Sequence, residues 1–169
     1  MNLEDFNKKV MPTKNKLYRF ALSYLKNEEE AKDIVQEVLL KVWNRKVSLS
    51  FYRNIEAWCM TLTKNLSLDR IKSMQFQLSA SRENLPDIAS DASPYKETEL
   101  NSTISMVKTF IDNLPERQRD IIHLRDVEGY TYQEIADILN LDVNQVKVYL
   151  FRARKTVKQK MLNLETHGA

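Results

Sequence analysis

Apolar residues recur at helical spacing through most of the chain, and the C-terminal part shows this most clearly. From Val143 onward an apolar residue returns every three or four positions, which predicts a helix with one buried face. The residues predicted to face inward are Val146, Leu150, Ala153, Val157 and Met161. A shorter stretch before it has the same period on Tyr132, Ile135, Ala136 and Leu139. Two helices in close succession are therefore predicted here.

Capping signals mark where each of these two helices begins. Thr131 followed by Glu134 predicts a capping box, in which each side chain bonds the other residue's backbone amide. Asn140-Leu141-Asp142 then predicts a turn, and Asp142 with Gln145 is a second N-cap signal. A helix, a short turn and a second helix form the pattern of a helix-turn-helix, whose second helix enters a DNA major groove.

The outer face of the second helix is polar and basic. It carries Asn144, Lys147, Val148, Phe151, Arg152 and Lys155. Beyond Val143 a single acid, Glu165, is opposed by Lys147, Arg152, Arg154, Lys155, Lys158 and Lys160. A helix face whose charges are nearly all positive is typical of a surface that binds phosphates. The alternative is an ordinary two-helix packing unit with a solvated basic face.

The N-terminal half predicts four helices, over Leu3–Val10, from Pro12 to about Lys26, from Glu28 onward, and from about Ile55 to Lys72. The third is predicted to bury Ala31, Ile34, Val35, Val38, Leu39 and Val42. Its opposite face carries Asp33, Gln36, Glu37, Leu40 and Lys41, for which a solvated surface is the default explanation. The fourth is predicted to bury Ile55, Trp58, Cys59, Leu62 and Leu66. Residues 44–54 are predicted to form a loop.

Residues 75–93 are rich in Ser, Asn, Asp and Ala and lack a helical period. A connection of this length is unusual inside one compact domain. We therefore predict an all-α protein of two small helical domains, residues 1–74 and 101–169, joined by a flexible linker over residues 75–100. In the second domain a first helix would turn Ile104, Val107, Phe110 and Ile111 inward, and the next would begin at Pro115 and end at Gly129.

Composition narrows the classes of function. The net charge of the 169 residues is only +3, so a nucleic-acid surface must be local. Two glycines and four prolines argue against an all-β fold. No apolar run approaches the ~20 residues of a membrane span, and Met1–Val10 lacks a signal-peptide core. We expect a cytoplasmic protein without stable membrane insertion.

Nothing in the sequence indicates an enzyme. Cys59 is the only cysteine, so neither an internal disulfide nor a cysteine zinc cluster can form. There is no HExxH and no glycine-rich phosphate loop, and His123 lies far from Cys59 along the chain. We expect no catalytic residues, no metal site and no cofactor.

Four blocks, in this order, resemble one family. They are DIVQEVLLKVW from Asp33, AWCMTLTKNLSLDR from Ala57, LPERQRDIIHLRDVEGYTYQEIADIL from Leu114 and VKVYLFRARKTV from Val146. The chain resembles the extracytoplasmic-function (ECF) sigma factors, the compact two-domain initiation factors of bacterial RNA polymerase. The resemblance covers nearly the whole chain except the linker.

This resemblance implies a transcription initiation factor that binds core RNA polymerase and directs it to promoter DNA. The N-terminal domain would bind the clamp coiled coil through Asp33, Gln36, Glu37 and Leu40. It would open the −10 element through Phe51, Tyr52, Trp58, Lys64, Asn65, Arg70 and Lys72. The C-terminal domain would rest on the polymerase flap and read the −35 element through Asn144, Gln145, Lys147, Val148, Phe151, Arg152 and Lys155. An anti-sigma factor is a further implied partner.

The recognition helix departs from the family pattern in two places. Val148 and Tyr149 stand where a small polar residue and an arginine are frequent, so arginine-to-guanine readout is in doubt there. Val148 could instead contact a thymine methyl, with Lys147 and Arg152 on bases or phosphates. Asn144 and Gln145 replace a frequent Gly-Thr, and their amides could pair with adenine. The alternative function is a stand-alone helix-turn-helix regulator, which would bind a palindromic duplex site tightly without polymerase.

Overall fold

All regular structure in the computed structural model is helical over the residues that it describes, 2–45, 54–80 and 99–167. The predicted all-α class is confirmed for these ranges. The chain forms two compact units, Met1–Asp87 and Ile88–Ala169, whose boundary falls within residues 81–98, outside the described part. Each unit has its own buried core.

The described part of the N-terminal unit contains four helices: α1 (Leu3–Lys9), α2 (Lys14–Leu25), α3 (Glu28–Asn44) and α4 (Ile55–Ala80). A 3-10 turn at Met11–Thr13 carries Pro12 in its first positions, where a missing amide costs nothing. Lys26 ends α2 in the left-handed conformation (φ 53°), and the Asn27 side chain then caps α3 by accepting from the Glu30 amide. These breaks match the sequence-based bounds closely.

The core of this unit forms where α3 and α4 both pack on α2. Leu17, Phe20, Val38 and Val42 are fully buried there. The helix α1 is held against the end of α3 by an edge-to-face contact between Phe6 and Trp43, whose ring centres are 5.3 Å apart. The predicted inner face of α3 is confirmed, with Leu39 half-buried and the rest buried.

The prediction for the inner face of α4 is confirmed only at Cys59. The buried residues are Ala57, Cys59, Met60, Thr63 and Ser67. Ile55, Trp58, Leu62 and Leu66, predicted to be innermost, are only half-buried. Apolar residues lie on several sides of α4, so periodicity could not select the face, and the small or polar side chains of Ala57, Thr63 and Ser67 are buried beside Cys59 and Met60. The Thr63 hydroxyl is accommodated there by donating to the Cys59 carbonyl oxygen at 2.8 Å.

The predicted end of α4 and start of the linker also need correction. The helix continues past Lys72 to Ala80, so Gln75–Ala80, assigned to the linker, are helical. Their side chains are exposed, and the Gln, Leu and Ala among them are good helix formers that need no buried face. The rest of the predicted linker lies outside the described residues up to residue 98, and the next helix begins at Glu99.

The C-terminal unit contains α5 (Glu99–Asp112), α6 (Glu116–Ile122), α7 (Tyr132–Leu139) and α8 (Val143–His167). A π-helical turn over His123–Val127 follows α6, with the Glu128 amide bonded to the His123 carbonyl at 3.0 Å. The single helix predicted from Pro115 to Gly129 therefore runs without a break from Glu116 to Val127, with π-helical geometry in its last turn. Gly129 adopts φ +77°, a left-handed conformation that favours glycine, and it leads the chain toward α7.

Both α5 and α7 pack on α8, and α6 packs along it. Ile121, Leu124, Ile135 and Val146 are fully buried between them. One predicted core position is wrong: Ile104 on α5 is 59% exposed, whereas Val107, Phe110 and Ile111 are half-buried. The part of α5 around Ile104 thus extends past the core.

Candidate nucleic-acid interface

The turn between α7 and α8 is built as its capping signals predict. The Thr131 hydroxyl accepts from the Glu134 amide at 3.1 Å, and the Glu134 carboxylate accepts from the Thr131 amide at 3.2 Å. Asn140 ends α7 in the left-handed conformation with φ 54°. Asp142 and Gln145 then form a second reciprocal pair, in which each side chain accepts from the other's backbone amide. The structure confirms the helix-turn-helix.

The helix α8 has a buried row and, on its opposite side, an exposed one. Val146, Leu150 and Ala153 are buried, and Val157 and Met161 are half-buried, as predicted. The predicted DNA-contacting residues are all exposed: Asn144, Gln145, Lys147, Val148, Phe151, Arg152 and Lys155. Val148 is 47% and Phe151 67% exposed. Two large apolar side chains among cations at the start of such a helix suit a surface that meets base edges and phosphates together.

Two residues in this region have local roles that limit their use as base readers. The Gln145 amide oxygen accepts from the Asp142 backbone at 3.1 Å, which leaves its amide nitrogen, but not both groups, for a base. Tyr149 is half-buried on the side of α8 that faces α6, where the Arg117 guanidinium carbon lies 5.9 Å from its ring centre. Tyr149 therefore takes no part in the exposed face.

The side of α8 that faces α7 carries a group of cations around Tyr132. The Lys147 ammonium lies 5.7 Å and the Arg125 guanidinium carbon 4.5 Å from the centre of the Tyr132 ring. A groove of about 370 Å³ runs along this side and is lined by Tyr132, Lys147, Leu150, Phe151, Arg154, Lys155 and Lys158. None of these lining residues is acidic, so the groove favours an anion.

Arg154, which the charge pattern assigned to the basic face, is paired inside the unit. Its Nε donates to Oδ2 of Asp126 at 3.0 Å and its Nη2 to Oδ1 at 2.5 Å. These hydrogen bonds raise the pKa of Arg154 above its ordinary value. Sequence reasoning missed this pair because Asp126 lies 28 positions away, in the π-helical turn.

The acidic and apolar strip on α3 is exposed as predicted. Asp33, Gln36 and Leu40 are exposed, with Leu40 at 62%, and Glu37 is partly exposed. An exposed leucine between acidic groups is a surface that a basic, apolar partner can cover. The predicted positions are therefore available on one face of a well-packed helix.

Arg70 on α4 joins α4 to this same helix. Its Nη1 pairs with Oε2 of Glu30, and its Nη2 lies 3.7 Å from Oε2 of Glu37. The sequence-based assignment placed Arg70 on DNA and Glu37 on polymerase, and the structure brings the two side chains together. Lys64 and Trp58 are half-buried on α4, and Asn65 and Lys72 are exposed. Phe51 and Tyr52, also assigned to promoter opening, lie outside the described residues.

The groups considered for catalysis lie in different units. Burial, with a smaller effect from Glu56, raises the pKa of the Cys59 thiol to about 12, so it is a poor nucleophile near neutral pH. His123 belongs to the C-terminal unit, with its Nε2 3.5 Å from Oε1 of Glu128.

In the described ranges, no helix combines the length and apolar character that crossing a membrane requires.

Comparison with known proteins agrees with this geometry. Residues 10–76 match the family model of sigma-70 region 2, and residues 104–157 match that of sigma-70 region 4. The RNA polymerase sigma factor SigV of Bacillus subtilis strain 168 is 30% identical over 146 residues, covering 86% of this chain and 84% of that protein. The ECF RNA polymerase sigma factor SigW of the same organism is 28% identical over 160 residues, with coverage of 89% and 86%.

The fold is also found in a solved structure. The sigma factor RpoE of Bartonella quintana, crystallised with the anti-sigma factor NepR, superposes with a TM-score of 0.73 at 24% identity. The match covers 96% of this chain and 99% of that chain.

Proposed function

The chain belongs to the ECF group of sigma-70 factors, and from this premise we propose how its two units direct RNA polymerase to promoters. The protein is a transcription initiation factor that acts with core RNA polymerase on promoter DNA. The observation that carries the proposal is the exposed face of α8, which presents amide, apolar and cationic side chains at the second helix of a helix-turn-helix.

The C-terminal unit recognises the −35 element with this face. Its members are Asn144, Gln145, Lys147, Val148, Phe151, Arg152 and Lys155. Exposure of the side chains and the capped start of α8 support this assignment, because residues in the first turns of a recognition helix reach base edges. Val148 is apolar where the family frequently has a small polar residue. An apolar side chain favours contact with a thymine methyl over a guanine at that base pair. This unit also rests on the polymerase flap.

The N-terminal unit binds core polymerase through Asp33, Gln36, Glu37 and Leu40 on α3. The contact would be to the clamp coiled coil. Supporting this, Asp33, Gln36 and Leu40 are exposed on the face opposite the core, with Leu40 at 62% and the partly exposed Glu37 at the edge of that face. Burying the exposed part of that leucine against a partner would stabilise the complex by about 1–2 kcal/mol, while the acids set its orientation.

The same unit opens the −10 element through residues of α4 and the preceding loop: Phe51, Tyr52, Trp58, Lys64, Asn65, Arg70 and Lys72. Aromatic rings can stack on bases that leave the duplex, and cations can follow the separated strand. For Arg70 the proposal has a condition. Its guanidinium pairs with Glu30 and Glu37, so a contact with DNA requires exchange of at least one of these partners.

A factor that acts on polymerase and promoter DNA works in the cytoplasm of a bacterium. An anti-sigma factor is a further proposed partner, since a structural relative was crystallised with one. The family consists of regulatory factors, and the chemistry of initiation is performed by the polymerase.

Run-off transcription with core polymerase and a genomic promoter library tests this function. We expect initiation at a subset of promoters that share −10 and −35 sequences, absent with core alone. Arg152→Gln should weaken the −35 dependence, whereas Asn163→Glu, which also lowers the net charge by one near the exposed end of α8, should not. Tight binding to a palindromic duplex without polymerase, and no selective initiation, would instead identify a stand-alone regulator.

A further inference from the structure

Lys147 lies to one side of the exposed face of α8, in a row that Phe151 shares. Lys147, Arg154 and Lys158 are seven and four positions apart, so they lie in one row, and the first two contact groups outside α8, the Tyr132 ring and Asp126. Val148, Arg152 and Lys155 are four and three positions apart and form a row opposite the buried one. The ammonium of Lys147 is thus directed to the side of α8, toward the start of α7.

The Tyr132 ring that faces Lys147 is itself fixed. Its position follows from the capping box at Thr131, which sets where α7 begins. The Arg125 guanidinium lies 4.5 Å from the ring centre, and its Nη1 donates to the Tyr130 carbonyl at 2.8 Å. Tyr130 is buried, so the carbonyl is a firm anchor. Arg125 and Tyr132 together form a platform that belongs to the π-helical turn and α7.

The charge around this platform is unbalanced. Lys147 and Arg125 both approach one ring, and Lys155 and Lys158 line the groove beside it. Asp126 neutralises Arg154 but contributes nothing to the groove lining. An aromatic ring attracts cations through its negative face, yet two cations on one ring repel each other. A bound anion would relieve that repulsion, and a DNA phosphate is the anion that α8 meets in the proposed function.

We infer that Lys147 is a ligand of one phosphate of the −35 DNA, and that Tyr132 is the positioning residue that presents it. This inference rests on the proposed function and refines it, because it moves Lys147 from base reading to backbone binding. An ammonium is a point charge with no fixed hydrogen-bond geometry, which suits a phosphate. Phosphate contacts fix where the helix lies and carry no direct sequence information. Base choice then depends on Asn144, Val148, Phe151 and Arg152.

The test is a methylphosphonate scan of the −35 element, in which one phosphate at a time loses its charge. Affinity of the full chain bound to core polymerase is measured for each DNA. At one position the neutral linkage should weaken the wild-type holoenzyme about two- to fivefold, as expected for an exposed ion pair. For Lys147→Gln, the neutral linkage at that position should leave the affinity unchanged, whereas neutral linkages elsewhere should act as they do on wild type. Lys147→Gln should also lower the salt dependence by about one ion.

Variants of Tyr132 test the positioning role. Tyr132→Phe keeps the ring and should retain the response at the same phosphate, whereas Tyr132→Leu should lose it. In Tyr132→Leu, adding Lys147→Gln should cause no further loss there. A melting temperature measured for each variant distinguishes loss of the phosphate response from destabilisation of the fold. A response retained in Tyr132→Phe and lost in Tyr132→Leu would show that the aromatic ring is required.

The same measurements distinguish failure of this inference from failure of the proposed function. If the wild-type holoenzyme shows no preference for promoters with an intact −35 element, the proposed function fails. If that preference is present but Lys147→Gln changes base choice and responds to every neutral linkage like wild type, Lys147 reads a base and the inference is overturned. Unchanged behaviour of Tyr132→Leu would remove Tyr132 from the mechanism.

Discussion

Asp126 and Arg154 are joined side by side across 28 positions of the chain, with Nε–Oδ2 at 3.0 Å and Nη2–Oδ1 at 2.5 Å. The pair fastens the π-helical turn to the recognition helix. Arg154 therefore stabilises the position of α8 and is not one of its free cations. Paired geometry of this kind is the strongest form of an arginine–carboxylate contact.

Removing either partner of this pair should loosen the C-terminal unit. Because the side chains are 51% and 39% exposed, we expect Asp126→Ala to lower the free energy of unfolding by only about 0.5–1 kcal/mol. Urea unfolding of Asp126→Ala, Arg154→Ala and the double variant measures the coupling between them. Arg154→Lys keeps the charge but loses the paired geometry, and should recover only part of the loss. Additive losses in the double variant would show that the pair is not coupled.

Loss of Arg70 should destabilise the N-terminal unit, because its guanidinium holds α4 to Glu30 and Glu37 of α3. We expect Arg70→Ala to lower the free energy of unfolding by about 1–2 kcal/mol, and Lys72→Ala, on the exposed side of the same helix, to have little effect. Thermal unfolding and promoter opening are measured on the same variants. An opening defect with unchanged stability would show that Arg70 acts on DNA alone.

Charge reversal at Asp33 or Glu37 should weaken binding to core polymerase while leaving helix content unchanged. Asp33 is exposed on the face of α3 opposite the core, whereas Glu37 is partly exposed with its Oε2 3.7 Å from Nη2 of Arg70, so thermal unfolding of the Glu37 variant is measured as well. Glu28→Lys, an equal change of charge at the start of α3, is the matched control and should bind core normally. Competition for core polymerase, followed by circular dichroism of each variant, makes the comparison. Normal binding by both reversed variants would return this strip to an ordinary solvated surface.

The Cys59 thiol should resist alkylation in the folded protein, because burial raises its pKa from 9.0 to about 12. Iodoacetamide at pH 8 should react quickly only in denaturant. The unfolded chain releases this proton near pH 9 and the folded chain near pH 12, so the folded state binds more protons between these values. The contribution of Cys59 to stability is present below pH 9 and is lost as the pH rises toward 12. In Cys59→Ala the free energy of unfolding should fall less steeply as the pH rises over this range. An unchanged pH dependence would contradict this expectation.

The parts of the molecule that sequence analysis predicted well are those set by local pattern. The faces of α3 and α8 follow from apolar spacing, and the caps at Thr131 and Asp142 follow from residues three positions apart. The inner row of α4 could not be predicted, because small and polar side chains such as Ala57 and Ser67 are buried there by close packing.

The ion pairs of two arginines could not be predicted for another reason. Arg70 pairs with Glu30 at a distance of 40 positions, and Arg154 with Asp126 at 28. Only the tertiary fold brings these partners together, so the charge pattern placed Arg154 on the basic face and the family resemblance placed Arg70 on DNA. The π-helical turn was missed because a single bond from residue i to i+5 leaves no mark on apolar periodicity.

The exposed face of α8 should divide into base contacts and phosphate contacts. Asn144, Val148 and Arg152 lie in its first turns, on the side away from the core. Changing one of them should cost about 1–3 kcal/mol at the preferred −35 sequence and relax the choice at one or two base pairs. Lys155 lies further along α8 and should contact the DNA phosphate backbone. Lys155→Ala should therefore weaken binding to all DNA sequences about evenly and reduce the salt dependence of the affinity by about one ion.

A library of −35 mutants, scored against each variant at two salt concentrations, measures both effects together. Val148→Ala is the sharpest probe, because it shortens the side chain without changing charge or helix capping. If Val148 contacts a thymine methyl, replacing that thymine with deoxyuridine should weaken the wild-type holoenzyme and leave Val148→Ala unaffected. Altered base preference in Lys155→Ala, with an even loss in Val148→Ala, would mean that α8 enters the groove with a different side. Since both rows of α8 are fixed by the buried residues Val146 and Leu150, that result would require a rotation of the whole unit on DNA.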